Sequence, residues 1–100
     1  MSVLVTVKIK GDTEKFQQAL AERGEEFTEI ASRGRTQGAL HHRFGVGDGF
    51  IMVVDEWESM ADFQSFFVDP KLQDFIGSVG GGTSAPDIVV SEAISSPDQF

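Results

Sequence analysis

The chain has 100 residues, 40% of them hydrophobic, which fits one small domain with a real core. A net charge of -8 and the lack of a basic cluster argue against binding nucleic acid or a membrane surface through charge. The absence of cysteine excludes disulfides, thiolate metal sites and a cysteine nucleophile, and it favours a reducing, cytoplasmic location.

The first predicted element is a strand over residues 3–10. Apolar side chains alternate there with residues of the other face, which is the period-2 pattern of a strand, and the apolar face carries Val3, Val5, Val7 and Ile9. This segment is far shorter than the roughly 20 apolar residues that a bilayer span needs. We therefore expect a strand and no membrane association.

A helix is predicted next, from the capping residue Asp12 to a stop at Gly34. Its apolar residues recur at three- and four-residue spacing, at Phe16, Ala19, Leu20, Phe27, Ile30 and Ala31. A glycine inside a helix costs about 1 kcal/mol relative to alanine. The helix is therefore expected to bend or weaken at Gly24.

A hairpin is predicted from strands at residues 38–46 and 50–57, joined by a tight Asp48-Gly49 turn. We favour a two-residue turn, which pairs His42 with Asp55 and His41 with Glu56. A three-residue turn is the open alternative, and it would reverse the partner faces. In the favoured register one face carries His42, Phe44, Val53, Asp55 and Trp57.

The rest of the chain predicts a second helical region and a last strand. Ser59 caps a helix whose inward side is Phe63, Phe66 and Phe67, and Pro70 restarts a short helical turn. The glycines at 80–82 favour a plain connector over a mobile lid. Residues 88–94 form the last strand, so that residues 1–95 make a single domain and 96–100 a loose tail.

This order predicts an α+β, ferredoxin-like β-α-β-β-α-β fold with an antiparallel sheet. The strand at 50–57 is apolar on both faces near its start, yet the helices can cover only one face. The other face would expose an apolar patch. We therefore predict that the sheets of two copies pack together in a homodimer.

The order of elements, the Gly-Ala-Leu start of the second strand and the Asp55-Glu56-Trp57 end of the third resemble the dimeric α+β barrel superfamily. Within it, the antibiotic biosynthesis monooxygenase-like family is the most similar branch, and the resemblance covers residues 3–94. It implies a barrel formed by two sheets across a dimer, with a pocket between sheet and helices in each subunit. The family includes cofactor-independent oxygenases of polycyclic phenols, quinol oxygenases, heme-degrading enzymes and members without known chemistry.

Position by position, the resemblance carries over in part. Trp57 matches an aromatic that lines the family pocket, and His42 or His41 matches a histidine that some phenol oxygenases place there. The in-strand Asn of those oxygenases falls on Val53, and the chain has no Tyr. Heme-degrading members carry an axial His on the second helix, where this chain has Phe67 and Val68, so that heme degradation is not implied.

Two functions follow as hypotheses. The first, which the resemblance implies, is a cofactor-independent monooxygenase that binds a flat apolar or phenolic molecule. We expect no metal site, since neighbouring strand histidines point apart and chelate poorly. His42 and Asp55 are its predicted catalytic residues, and its ligand-binding residues are Trp57, His41, Phe44, Val53, Phe63 and Phe67. The alternative is a noncatalytic homodimeric binding or assembly protein, in which the same residues are structural contacts.

Overall fold

The computed structural model describes residues 1–100 and contains one sheet and four helices. The strands are β1 (Val3–Lys10), β2 (Ala39–Gly47), β3 (Phe50–Trp57) and β4 (Asp87–Glu92). The helices are α1 (Thr13–Glu22), α2 (Gly24–Thr36), α3 (Met60–Phe67) and α4 (Pro70–Ser78). No helix is long and apolar enough to cross a membrane.

The sheet has the strand order β2-β3-β1-β4, and every neighbouring pair is antiparallel. This order places the first and third strands in the middle and the hairpin partner β2 at one edge. Each predicted helical region is present as a pair of helices between the expected strands. The predicted α+β, ferredoxin-like fold is confirmed.

The hairpin between β2 and β3 adopts the favoured two-residue turn. Gly47 lies opposite Phe50, His42 opposite Asp55 and His41 opposite Glu56, which confirms the predicted register. Gly49 has φ 77°, a left-handed conformation that a glycine adopts at no steric cost. The turn therefore sets which face each residue of both strands occupies.

The predicted first helix is broken in two, at the position where weakness is expected. α1 ends at Glu22 and α2 begins at Gly24, with Arg23 between them as the cap of both. The guanidinium of Arg23 donates 2.8 Å hydrogen bonds to both carboxylate oxygens of Glu26 and a 3.1 Å bond to Ser78 Oγ. Arg23 therefore ties this junction to the end of α4.

The predicted helix stop at Gly34 is wrong, because α2 continues to Thr36. Gly34 is instead buried within the helix, where a Cβ atom would lie 3.5 Å from the ring of Phe66. The chain leaves the helical path at Gly38, whose φ is 120°. The first glycine serves close packing between α2 and α3, and the second serves the exit from the helix.

The core lies between the helices and the inner face of the sheet, which is the face that the helices cover. Its buried residues are Val5, Val7, Ile9, Phe16, Ala19, Ile51, Trp57, Phe63 and Val79. We call the other side of the sheet the outer face. Leu4, Val54 and Val89 lie there, and each is about half exposed or more.

The glycine segment 80–82 is fixed against the β1–α1 junction by main-chain hydrogen bonds. Asp12 N–H donates to Gly80 O at 2.8 Å, and Gly82 N–H donates to Lys10 O at 2.8 Å. A Cβ atom on Gly11 would clash with the carbonyl oxygen of Gly80. The segment is therefore a connector held by hydrogen bonds, as favoured from the sequence over a mobile lid. The last strand ends at Glu92 and not at Ile94, which is exposed.

Candidate functional site

A cavity of about 660 Å³ lies between the inner face of the sheet and the helices. Its walls are mostly hydrophobic and come from the three strands β1 to β3 and from all four helices. This volume is within the usual range for pockets that bind small organic molecules. The cavity is therefore the candidate ligand-binding site.

The main polar feature of its wall is a carboxylate shared by two donors. Nδ1 of His42 lies 2.6 Å from Oδ1 of Asp55, and Trp57 Nε1–H donates to Oδ2 of the same side chain at 3.0 Å. Asp55 is only 9% exposed. A buried carboxylate is tolerated when its oxygens are hydrogen-bonded, and here each oxygen has a partner.

The carboxylate also determines the state of the imidazole. A carboxylate accepts hydrogen bonds, so that Nδ1 of His42 carries the proton that it donates to Asp55. In the neutral ring, the lone pair is then on Nε2, which has no protein partner. The His42 side chain is 38% exposed and lines the cavity, so that Nε2 is available to a ligand.

Local strand geometry explains why these three side chains meet. The β2–β3 register places His42 directly across from Asp55. Residues two apart on a strand point to the same face, which brings Trp57 beside Asp55. The arrangement follows from the hairpin alone and requires no distant contact.

Trp57 is both a wall of the cavity and an anchor of the core. It is 2% exposed, and its ring centroid lies 5.8 Å from that of Phe63 and 5.3 Å from that of Phe66. Phe63 in turn stacks on Phe67 at 5.3 Å. These rings form an aromatic wall along α3 without filling the cavity.

A second aromatic cluster, Phe16, Phe27, Phe44 and Phe75, lines another part of the cavity. Its rings pack edge to face with centroids 5.0 to 6.0 Å apart. Phe44 also meets the ring of His42 edge to face at 4.6 Å. Only Phe44 of this cluster was expected at the site, because a helical apolar residue gives the same sequence signal in a core and in a cavity wall.

The structure brings most of the predicted site residues together. His42, Asp55, Trp57, Phe44, Val53, Phe63 and Phe67 all line the cavity. His41 lies at its rim, but its side chain is 80% exposed, and its Nε2 is 3.9 Å from Glu56 Oε1. The side chains of the two histidines therefore lie on opposite faces of the sheet. No group of three His, Asp or Glu side chains is placed to hold a metal ion.

The cavity opens between α2 and β2. Every lining residue that is exposed belongs to one of these two elements, whereas the residues from the other elements are buried or half-buried. We call this opening the mouth, and it consists of Thr28, Ala31 and Arg35 on α2 and residues 40–44 on β2. Sequence reasoning missed the α2 side, because exposed polar residues on a helix are the ordinary case.

No protein-family model matches the sequence, and no curated protein matches it significantly. Solved structures do match its fold over nearly the whole chain. The monooxygenase ActVA-Orf6 of Streptomyces coelicolor, in complex with nanaomycin D, has a TM-score of 0.68 at 16% identity and covers 99% of this chain and 93% of its own.

Two further structures give the same result. SnoaB, a cofactor-independent oxygenase from Streptomyces nogalater, has a TM-score of 0.63 at 11% identity, with 98% of both chains covered. An antibiotic biosynthesis monooxygenase has a TM-score of 0.61 at 14% identity, with 93% of this chain and 99% of its own covered. At such identities the likeness establishes the fold, and this chain has the fold of the antibiotic biosynthesis monooxygenases that its sequence resembles.

Proposed function

We propose that this chain is a cofactor-independent monooxygenase-like protein that binds a flat apolar or phenolic molecule in the cavity beside Trp57. One observation carries the proposal: a buried carboxylate orients His42 so that its free Nε2 is available in a mostly apolar cavity. The fold neighbours SnoaB, a cofactor-independent oxygenase, and ActVA-Orf6, a monooxygenase bound to nanaomycin D, support it.

In this proposal, His42 is the general base. Its Nε2 accepts a proton from an acidic phenol or from the activated carbon of an anthrone-type substrate, and Asp55 stabilises the imidazolium that forms. Trp57 holds the second oxygen of Asp55 and is a positioning residue. The surrounding phenylalanines orient the flat ring system and keep water away from the reactive anion.

The chemistry balances without a cofactor. The deprotonated anthrone carbon transfers electrons to molecular oxygen and forms a C–O bond, giving a hydroperoxide. Loss of water then breaks the O–O bond, so that one oxygen atom ends in the new carbonyl and the other in water. The substrate supplies all the electrons and becomes a quinone, while the protein returns the proton through His42.

The test is quinone formation from an anthrone under air, followed by absorbance and by oxygen consumption. We expect His42→Ala to abolish the activity above background. Val46→Ala is the control, because Val46 lies further along the same strand and does not line the cavity, and this variant should retain the activity. An unaffected His42→Ala variant would contradict the assignment of the base.

A noncatalytic binding protein is the second candidate. It is favoured by the fact that both oxygens of Asp55 are already paired within the protein and that Trp57 is part of the core. These contacts would stabilise the hairpin in a protein that only binds a ligand. Quenching of Trp57 fluorescence by an aromatic ligand, without turnover of any anthrone or dihydroxynaphthalene, would favour this candidate.

The proposal includes self-association and a cytoplasmic location. No helix covers the outer face, where Leu4, Val54 and Val89 leave apolar surface exposed. A second copy of the sheet would bury this surface, which is the arrangement of a dimeric α+β barrel. The cytoplasmic location is inferred from the lack of cysteine. The division into a single domain at residues 1–95 and a tail at residues 96–100 stays a prediction.

A further inference from the structure

The mouth of the cavity differs in charge from the rest of the chain. The protein carries 16 acidic residues against 8 Lys and Arg, yet Asp55 is the only acidic residue that lines the cavity. That carboxylate is already hydrogen-bonded to His42 and Trp57. The charged group that α2 contributes to the mouth is the guanidinium of Arg35.

Arg35 has no partner of its own among the acidic side chains. It forms no ion pair, whereas Arg23 on the same helical region is paired with Glu26. Thr28, Ala31 and Arg35 line the mouth from successive turns of α2, so that Arg35 extends the same helix face that borders the cavity. Its charge is therefore unopposed where a ligand would enter.

The opposite side of the mouth, on β2, provides His42 from the inner face and a second cation, Arg43, from the outer face across from Val54. A molecule that enters between α2 and β2 places its ring system among the aromatic walls, and any part that projects from the cavity lies near Arg35. A guanidinium binds a carboxylate through charge-assisted, often bidentate hydrogen bonds. An apolar cavity with a cationic rim thus fits a flat aromatic molecule with an acidic substituent.

We propose that Arg35 recognises an anionic substituent, such as a carboxylate, on the aromatic ligand. This inference rests on the proposed ligand site and specifies its substrate class. Arg35 is a ligand-binding residue in this view and takes no part in proton transfer at His42.

The experiment compares a neutral ligand with an anionic one of the same ring system. Anthraquinone and anthraquinone-2-carboxylate are titrated into the protein, and binding is followed by quenching of Trp57, the only Trp in the chain. We expect the carboxylate to bind more tightly to the wild type. Arg35→Gln should weaken its binding roughly tenfold and leave the binding of anthraquinone unchanged.

Arg33→Gln is the matched control. Arg33 is an exposed arginine on the same helix, but it does not line the cavity, so that its loss changes the net charge equally without removing a cation from the mouth. Equal effects of both variants, or none from Arg35→Gln, would overturn the inference and leave aromatic binding intact. Failure of both ligands to bind the wild type would overturn the ligand site itself.

Discussion

His42 and Asp55 face each other across two strands, with Nδ1 of the imidazole 2.6 Å from a carboxylate oxygen. The contact joins residues of an edge strand and a central strand, and the second oxygen of Asp55 is held by Trp57. The orientation of the imidazole therefore depends on a group that a ligand does not need to touch. This dependence can be tested separately from the base itself.

Replacing Asp55 by Asn is expected to reverse the His42 tautomer. The Asn oxygen can still accept from Trp57, but its amide then donates to Nδ1 of His42 and places the ring proton on Nε2. We expect quinone formation to fall roughly 10- to 100-fold. Glu56→Gln, on the same strand but the outer face, should retain activity, and an active Asp55→Asn variant would contradict the positioning role.

Trp57→Phe should destabilise the fold. The change removes the indole N–H that satisfies one oxygen of the buried carboxylate, and an unsatisfied buried group costs about 1–3 kcal/mol. Because the variant has no Trp, its urea unfolding is followed by circular dichroism. A free energy of unfolding equal to that of the wild type would show that water replaces the indole without cost.

Light scattering on the purified protein should give the mass of a dimer. Val54 is central on the outer face and 48% exposed, and Val54→Arg would place a charge beside Arg43 across the hairpin. We expect this variant to dissociate into monomers. The control is Val68→Arg, which changes a 68% exposed valine at the end of α3, away from the sheet. A monomeric wild type would refute the predicted interface.

The ion pair at the α1–α2 junction gives a pH-dependent contribution to stability. The hydrogen bond from Arg23 holds the pKa of Glu26 below its ordinary value of 4.5. A carboxylate whose pKa is lowered in the folded state stabilises the protein fully at a pH above its unfolded-state pKa. This stabilisation is lost as the pH falls through the lowered, folded-state pKa.

Glu26→Gln should therefore lower the unfolding midpoint slightly at neutral pH, and the difference from the wild type should vanish in acid. Glu25→Gln is the control, because Glu25 forms no ion pair. Thermal unfolding at several pH values measures both variants. A difference that persisted in acid would show that the ionised pair is not its cause.

Two glycines with different surroundings should respond oppositely to alanine. In Gly77→Ala the new Cβ atom meets nothing within 4 Å on α4, and the helix should gain up to about 1 kcal/mol. In Gly11→Ala the Cβ atom would clash with Gly80 O, and stability should fall. Urea unfolding measures both, and a neutral Gly11→Ala would show that the connector can shift.

The sheet could be predicted from the sequence because its signals are local. Alternation over residues 3–10 and the Asp48-Gly49 turn fix the faces and the register without knowledge of the rest of the chain. The meeting of His42 and Asp55 follows from that register. For the same reason, the third strand was predicted with its observed bounds.

The cavity and the end of the first helical region depend on packing between distant elements. Gly34 signals a helix stop in isolation, but here it makes room for the ring of Phe66. Phe63 and Phe67 carry the same apolar pattern whether they fill a core or surround a cavity. Arg35 resembles any exposed arginine until the position of α2 over β2 is known.

The connector and the mouth of the cavity share no residue. Main-chain bonds join residues 80–82 to residues 10–12, and none of these residues lines the cavity. Backbone bonds persist when most side chains change, so that α2 and β2 can vary in sequence while this junction remains closed. Mutation of the mouth residues can therefore change the side chains that a ligand would meet without altering the main-chain hydrogen bonds between residues 80–82 and 10–12.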